Sequence, residues 1–276
     1  MIMVNGEKIS ETLYPDGTPS IHMSAAPQFS ENIHGGKGGT IDWYYEDMKE
    51  LFYVISIARW MKDNGIHDVI LKMPYIPTAR MDRVKDPGDI HFLKYFCEMI
   101  NNTGFRKVIV MDPHSSVSEG LIDRIEVLNP KKFVEATLSR IQMTGVEVDS
   151  YFFPDEGAMK RYTDILKAKP YAFGIKKRDW KTGEIQGITI MNEDQVAGKN
   201  ILIVDDICSA GGTFYFSAKR LKELNANKIY LYITHCENTL VEHLDRIDGL
   251  IERVYTTNTI FTATGLTNLI EVVNGV

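Results

Sequence analysis

The sequence predicts an α/β protein of two domains, each a mostly parallel sheet flanked by helices. Three observations carry this prediction. Short apolar runs such as "DVILKMPY" (68 to 75), "KVIVMD" (107 to 112) and "ILIV" (201 to 204) are the length of strands buried on both faces. Stretches with apolar residues three and four apart lie between them, at the scale of parallel crossovers. An Asn-Pro step in "VLNP" (127 to 130) marks a seam, because the residue before a proline is steered away from helical geometry.

Taken in order, the first 40 residues are turn-rich, with "YPDGTP" at 14 to 19 and "HGGKGGT" at 34 to 40. The latter lacks the spacing of a Walker loop and reads as a flexible lead into a helix. That helix is expected from Trp43 to Lys62, with Met48, Leu51, Phe52, Ile55 and Ala58 on one face and Asp63, Asn64 and Gly65 as its stop. A strand at 68 to 75, a helix near 89 to 102 and a strand at 107 to 112 follow. Beyond the seam come helices near 131 to 142 and 157 to 167, with a strand near 150 to 153 between them. Further strands are expected near 171 to 175, 186 to 191, 201 to 204 and 228 to 234. Phe214, Ala218, Leu221 and Leu224 form the apolar stripe of the last crossover helix. The expected domains are therefore 1–129 and 130–261, with the tail 262–276 a candidate to return to the first.

The 276 residues suffice for two cores, and 44% hydrophobic with 25% charged residues is ordinary for a globular protein. A net charge of −6 argues against general nucleic-acid binding, since no basic excess exists to displace counterions. Cys97, Cys208 and Cys236 are far apart and lack metal-site spacing, which suits free thiols in a reducing compartment. No apolar run is long enough to span a membrane, and no leader pattern opens the chain. The expected location is the cytoplasm.

The chemistry concentrates in "ILIVDDICSAGGT" (201 to 213). Asp205 and Asp206, emerging from a strand, have the charge and reach to accept hydrogen bonds from the 2- and 3-hydroxyls of a ribose. Ser209, Ala210, Gly211 and Gly212 are small enough to fold back tightly, and Thr213 opens the next helix. Backbone N–H groups there suit an anion. An Asp pair alone reads better as a solvated turn with an N-cap; the glycines tip the reading towards a ribose-phosphate site.

This segment resembles the ribose-phosphate loop of the type I phosphoribosyltransferase fold. With "PYIPTARMDR" (74 to 83), "MDPHS" (111 to 115), "FFPDEGAMKR" (152 to 161), "IKKRD" (175 to 179) and "THCENTL" (234 to 240) in that order, the chain resembles the ribose-phosphate diphosphokinases. These are also called phosphoribosyl pyrophosphate synthetases. The likeness extends from about Glu46 to Thr259 and implies two phosphoribosyltransferase-like domains, the first binding ATP and the second the sugar phosphate.

The resemblance implies roles. Arg80 and Arg83, with Asp82 between them, match the family's ATP-binding segment, and two guanidiniums clamp a triphosphate more rigidly than one lysine. Pairing of an arginine with Asp82 or Asp86 at the surface is the plainer alternative. Tyr14 and Asp16 match the nucleotide-base segment. His114 matches a histidine that contacts phosphates and Mg²⁺, and Asp155 the magnesium aspartate. Lys176 and Arg178 match the cations of the mobile catalytic loop. The implied reaction is attack of an anomeric hydroxyl on the β-phosphorus of ATP with AMP leaving, a step in which positioned cations do most of the work.

Departures are also legible. The family's usual Asp-Thr is Ser209-Ala210 here, the second of two glycines after Asp155 is Ala158, Thr18 replaces a glutamate, and the carboxyl end is short. Phage-encoded relatives in this family pyrophosphorylate ADP-ribose, so ribose 5-phosphate and ADP-ribose both remain open as acceptors. A homo-oligomer, dimer or larger, is implied by family members whose nucleotide site borrows residues from a neighbour. The competing readings are a phosphoribosyltransferase, which leaves the first-domain arginines idle, and a non-catalytic regulatory homologue, which should lack the cations and carboxylate present here.

Overall fold

The computed structural model describes residues 1–23, 37–167, 169–178, 185–265 and 267–273, with only the backbone of Lys37, 176–178 and 185–186. Two compact units divide at Leu128/Asn129.

The first unit runs β1 (Ile2–Val4), β2 (Glu7–Lys8), β3 (Ser10–Leu13), β4 (Pro19–His22), β5 (Lys37–Trp43), α1 (Lys49–Asp63), β6 (Ile66–Lys72), α2 (Phe92–Thr103), β7 (Lys107–Met111), α3 (Ser116–Leu121) and β8 (Ile125–Leu128). Its main sheet has the order β2-β1-β5-β6-β7-β8, parallel from β5 onward and antiparallel on both sides of β1. Ile41, Trp43, Val69, Leu71, Val108 and Val110 are buried in it against Val54, Ala58, Met61, Phe96 and Ile100 of the helices.

The amino-terminal region departs from its turn-rich expectation by holding four short strands. They escape periodicity because they span two to four residues, and β3, "SETL", is exposed along its whole length. Residues 34–36 of "HGGKGGT" lie outside the described residues, whereas 37–40 open β5. At Gly39 a Cβ would meet the Met61 Cε methyl, which would have to shift. Trp43 ends β5 rather than starting a helix, and its indole Nε1 donates to buried Glu50 at 2.8 Å. The buried stripe of α1 is Leu51, Val54, Ala58 and Met61, while Met48 and Phe52 face outward. Both stripes satisfy a helical period, and packing on the sheet selects between them. Gly104 ends α2 in left-handed geometry (φ 70°), open to glycine without a Cβ penalty.

The second unit runs α4 (Lys131–Met143), β9 (Ser150–Phe153), α5 (Glu156–Tyr162), β10 (Tyr171–Arg178), β11 (Ile185–Met191), β12 (Ile201–Cys208), α6 (Gly212–Glu223), β13 (Ile229–Cys236), β14 (Arg253–Thr256) and β15 (Ile270–Val272). A 3-10 segment, Asn238–Arg246, follows β13. The sheet order is β11-β10-β9-β12-β13-β14-β15, parallel except where β11 pairs antiparallel with β10. The tail does not return to the first unit: β15 pairs in parallel with β14, completing this sheet's edge. The stripe of α6 is buried at Phe214, Ala218 and Leu221.

In this order β9 and β12 are neighbours, yet the chain leaves β9 towards β10 and leaves β12 towards β13. The connections diverge at the carboxyl ends of two adjacent strands, the place where open α/β sheets form a crevice. Cys97, Cys208 and Cys236 are free and buried. Among the described residues no helix is long and apolar enough to cross a membrane.

Candidate functional site

In the second unit the fully buried strand β9 delivers Pro154 and Asp155 to the divergence point. Asp155 is the N-cap of α5, its Oδ1 accepting from the Ala158 N–H at 2.9 Å. A Cβ on Gly157 would stand 3.2 Å from that oxygen, and one on Gly174 would stand 2.7 Å from the Pro154 carbonyl oxygen. Ala158, where the family pattern has a second glycine, is buried without such conflict.

Strand β12 extends to Cys208, so Asp205 and Asp206 lie within it rather than beyond its end. Both are buried, Asp206 to 2% exposure. The Asp206 N–H donates to Asp205 Oδ1 at 3.0 Å. Arg161, in the last turn of α5, places Nη1 2.8 Å from Asp206 Oδ1. Burial, and then the negative charges of Asp206 and Asp155, push the Asp205 carboxyl well above its ordinary 3.8, with Arg161 opposing. One carboxyl of the pair thus tends to hold its proton while the other is ion-paired. The pair expected to meet ribose hydroxyls is largely shielded, and Asp206 is matched with a cation.

Ser209, Ala210 and Gly211 turn the chain into α6. Gly211 has φ 76°, and a Cβ there would sit 2.9 Å from Leu240 Cδ1, so both backbone and space require glycine. As the first-turn amides of a twelve-residue helix, the Gly212 and Thr213 N–H groups have no intrahelical acceptor. Their direction suits an anion. The loop is held from the side by the segment after β13. Ser209 Oγ donates to Glu237 Oε2 at 2.7 Å, the Glu237 N–H donates to the Cys208 carbonyl at 2.8 Å, and Arg246 Nη1 donates to the Ala210 carbonyl at 3.2 Å. Next to it, His235 Nδ1 lies 2.8 Å from Thr259 Oγ1 in a buried hydroxyl network with Thr257 and the Thr234 carbonyl.

In the first unit the loop after β6 carries Arg80, Asp82 and Arg83, and the loop after β7 carries His114. Asp82 is buried; Arg83 holds it in a two-pronged contact, Nε to Oδ1 at 2.7 Å and Nη2 to Oδ2 at 2.9 Å. These hydrogen bonds hold the Asp82 carboxyl below its ordinary value, with burial opposing and Ser115 and His114 adding smaller contributions. The side chain of Arg83 is itself 70% exposed. The surface ion pair that sequence offered as the plainer reading is therefore present, and it orients a guanidinium whose remaining donors face outward. Two residues on these loops are in left-handed geometry, Thr78 (φ 65°) and Asp112 (φ 42°). For a β-branched residue that conformation is costly, and such strain gathers at binding loops.

Tyr14 and Asp16 sit on the β3–β4 hairpin, Tyr14 60% exposed and Asp16 Oδ1 accepting from the Thr18 N–H at 2.9 Å. The structure does not join them to Arg80, Asp82, Arg83 or His114 by any hydrogen bond or ion pair. Lys176 and Arg178 lie on the backbone of β10, and their side chains lie outside the described residues.

Sequence reasoning missed Arg161 and Glu237. Arg161 reads as an ordinary basic residue at a helix end, and Glu237 as a loop carboxylate; their partners are remote in the chain. Among the described residues no cluster of three or more His, Cys, Asp or Glu forms a metal cage. Mg²⁺ needs none when phosphates and water complete its shell, so a single half-buried carboxylate such as Asp155, beside a negative pair, suits that use.

The phosphoribosyl transferase domain model matches residues 141–265. The ribose-phosphate pyrophosphokinase of Sulfolobus acidocaldarius is 26% identical over 274 residues, covering 96% of this chain and 89% of that one. The enzyme of the same name from Pyrococcus furiosus is 29% identical, covering 87% and 85% respectively. Among solved structures, phosphoribosylpyrophosphate synthetase from Mycobacterium smegmatis matches 97% of this chain and 86% of its own with a TM-score of 0.77. At 17% identity that match speaks to the fold.

Proposed function

Because the chain belongs to the ribose-phosphate pyrophosphokinase family, we propose that it transfers the β,γ-diphosphate of ATP to the anomeric C1 hydroxyl of a 5-phosphorylated ribose, releasing AMP. It is a diphosphokinase-type enzyme, and the synthesis of phosphoribosyl pyrophosphate from ATP and ribose 5-phosphate is the reading its relatives' names favour. The observation that carries this for the chain's own residues is the meeting of Asp155, Arg161, Asp205 and Asp206 beside a glycine turn that opens a helix.

The Gly212 and Thr213 amides take the 5-phosphate, where the helix dipole adds to their hydrogen bonds. Asp206 and Asp205 offer their carboxyl oxygens to the ring hydroxyls. Asp155 serves Mg²⁺, which when bound would neutralise charge on the ATP phosphates, and His114 of the first unit is a candidate contact for the nucleotide's phosphates or for Mg²⁺. Arg80 and Arg83 grip the nucleotide's phosphates, Tyr14 and Asp16 its base, and Lys176 and Arg178 stabilise charge on the transferring group. ADP-ribose stands as a second acceptor, favoured by Ser209-Ala210, which puts a hydroxyl in place of the family's carboxylate and a methyl in place of its threonine in the loop that receives the phosphate. Assembly as a homo-oligomer completes the proposal.

The test is AMP release from Mg-ATP with each acceptor, with the product read by phosphorus NMR. Phosphoribosyl or ADP-ribosyl pyrophosphate is expected; no AMP with either acceptor rejects the reading. Consumption of phosphoribosyl pyrophosphate with a nucleobase would replace it with a transferase.

A further inference from the structure

We propose that Glu237 selects the acceptor by the charge on its 5-phosphate, favouring a singly charged phosphodiester over a doubly charged phosphomonoester. The inference rests on the reading of the second-unit loop as the phosphate site, and deepens it.

A serine hydroxyl has one proton. Ser209 spends it on Glu237 Oε2, at 2.7 Å, so towards the loop its oxygen presents lone pairs only. A phosphate oxygen, itself an acceptor, finds no donor at this position; a hydroxyl does. The carboxylate behind Ser209 also brings a negative charge to the wall of an anion site. Glu237 is fixed there from both sides, since its own N–H donates to the Cys208 carbonyl at 2.8 Å and Leu240, three residues on, packs where a Cβ of Gly211 would stand. Among the described residues, the buried thiols of Cys208 and Cys236 and the guanidinium of Arg246 on the Ala210 carbonyl are charged or titratable groups at this corner. The hydrogen bond with Cys236, and then burial, push the Cys208 thiol well above its ordinary value, so Cys208 adds no negative charge to that of Glu237.

A phosphomonoester carries its second charge above a pKa of about 6, whereas in ADP-ribose the 5-phosphate is one half of a diphosphate bridge, with a single charge on that phosphate and a second on the adjoining one both above and below that pH. The same carboxylate therefore penalises the two acceptors unequally, and only above that pH.

The experiment compares wild type with Glu237→Gln, which keeps an oxygen to accept from Ser209. It measures kcat/KM for ribose 5-phosphate and for ADP-ribose at pH 7.5 and pH 5.5. The ratio of the first to the second should rise at least about fivefold in the variant at pH 7.5 and move less than about twofold at pH 5.5. A ratio unchanged at pH 7.5, or changed alike at both pH values, overturns the proposal. Calorimetric titration of each acceptor into nucleotide-free protein reads the same ratio without turnover. A shifted binding ratio in protein that releases no AMP would keep the charge filter and remove the reaction, so the two failures stay distinct. Circular dichroism establishes that the variant is folded.

Discussion

Arg161 Nη1 lies 2.8 Å from Asp206 Oδ1, joining the last turn of α5 to the middle of the sheet's central strand, with the carboxylate 3% exposed. Removing one member of such a pair leaves the other charge buried and unmatched, which is costlier than losing the attraction alone. Arg161→Ala is expected to destabilise the protein by about 3–5 kcal/mol, read as a lower urea midpoint. Arg161→Lys should lose less, because a point charge restores the balance without the planar contact. If Arg161→Ala matches wild type in urea, the pair has no structural weight.

Asp205 makes an opposite prediction. Its carboxyl is raised above 3.8, so between that value and the folded one the native state holds a proton that the unfolded chain has released. This contribution to stability is full below 3.8 and falls away as pH rises through the folded value. Asp205→Asn removes the titration: stability near neutral pH should increase, with a flatter dependence above pH 4, while AMP release falls. Urea denaturation from pH 4 to 8 checks the slope, and an unchanged slope counts against the raised value.

Arg83 is exposed while its partner is buried, which separates its role in folding from its role in binding. Arg83→Ala removes the two-pronged partner of the buried Asp82 carboxylate and should lower stability by more than the roughly 1 kcal/mol of an exposed pair. It should raise the KM for ATP by about tenfold, the loss of one charge-assisted contact. A stability loss with an unchanged KM would make the arginine purely structural.

Thr78 holds left-handed geometry with its hydroxyl buried and unpaired. Thr78→Gly relieves about 1–2 kcal/mol of conformational cost, less about 0.4–1 kcal/mol from the more flexible unfolded chain. The melting temperature should therefore hold or rise, with weaker ATP binding as the loop loosens. A lower melting temperature would mean the strain is repaid by contacts of the threonine itself.

Lys176→Ala tests the catalytic strand. Turnover should fall by about 100-fold or more, as for loss of a charge-stabilising group, with unaltered circular dichroism. Retained turnover would dismiss Lys176 from the chemistry.

The two-unit α/β plan was legible because buried parallel strands are continuous apolar runs: "SYFF", "ILIV" and "KVIVM" announce themselves without context. So was the glycine turn, since positive φ and the approach of Leu240 admit little else at Gly211. The short amino-terminal strands and the face of α1 were not, because two to four residues hold no period and two stripes fitted one helix. The tail's placement needed β14 as a partner, which no local signal names. At the site, sequence supplied the carboxylates, cations and turn residues in order. Tertiary structure alone decided that Asp205 and Asp206 are buried, that Arg161 neutralises one of them and that Glu237 takes the Ser209 proton. Those are contacts between segments far apart in the chain, and the charge, protonation and hydrogen-bond direction of each group follow from whichever neighbour the fold sets against it.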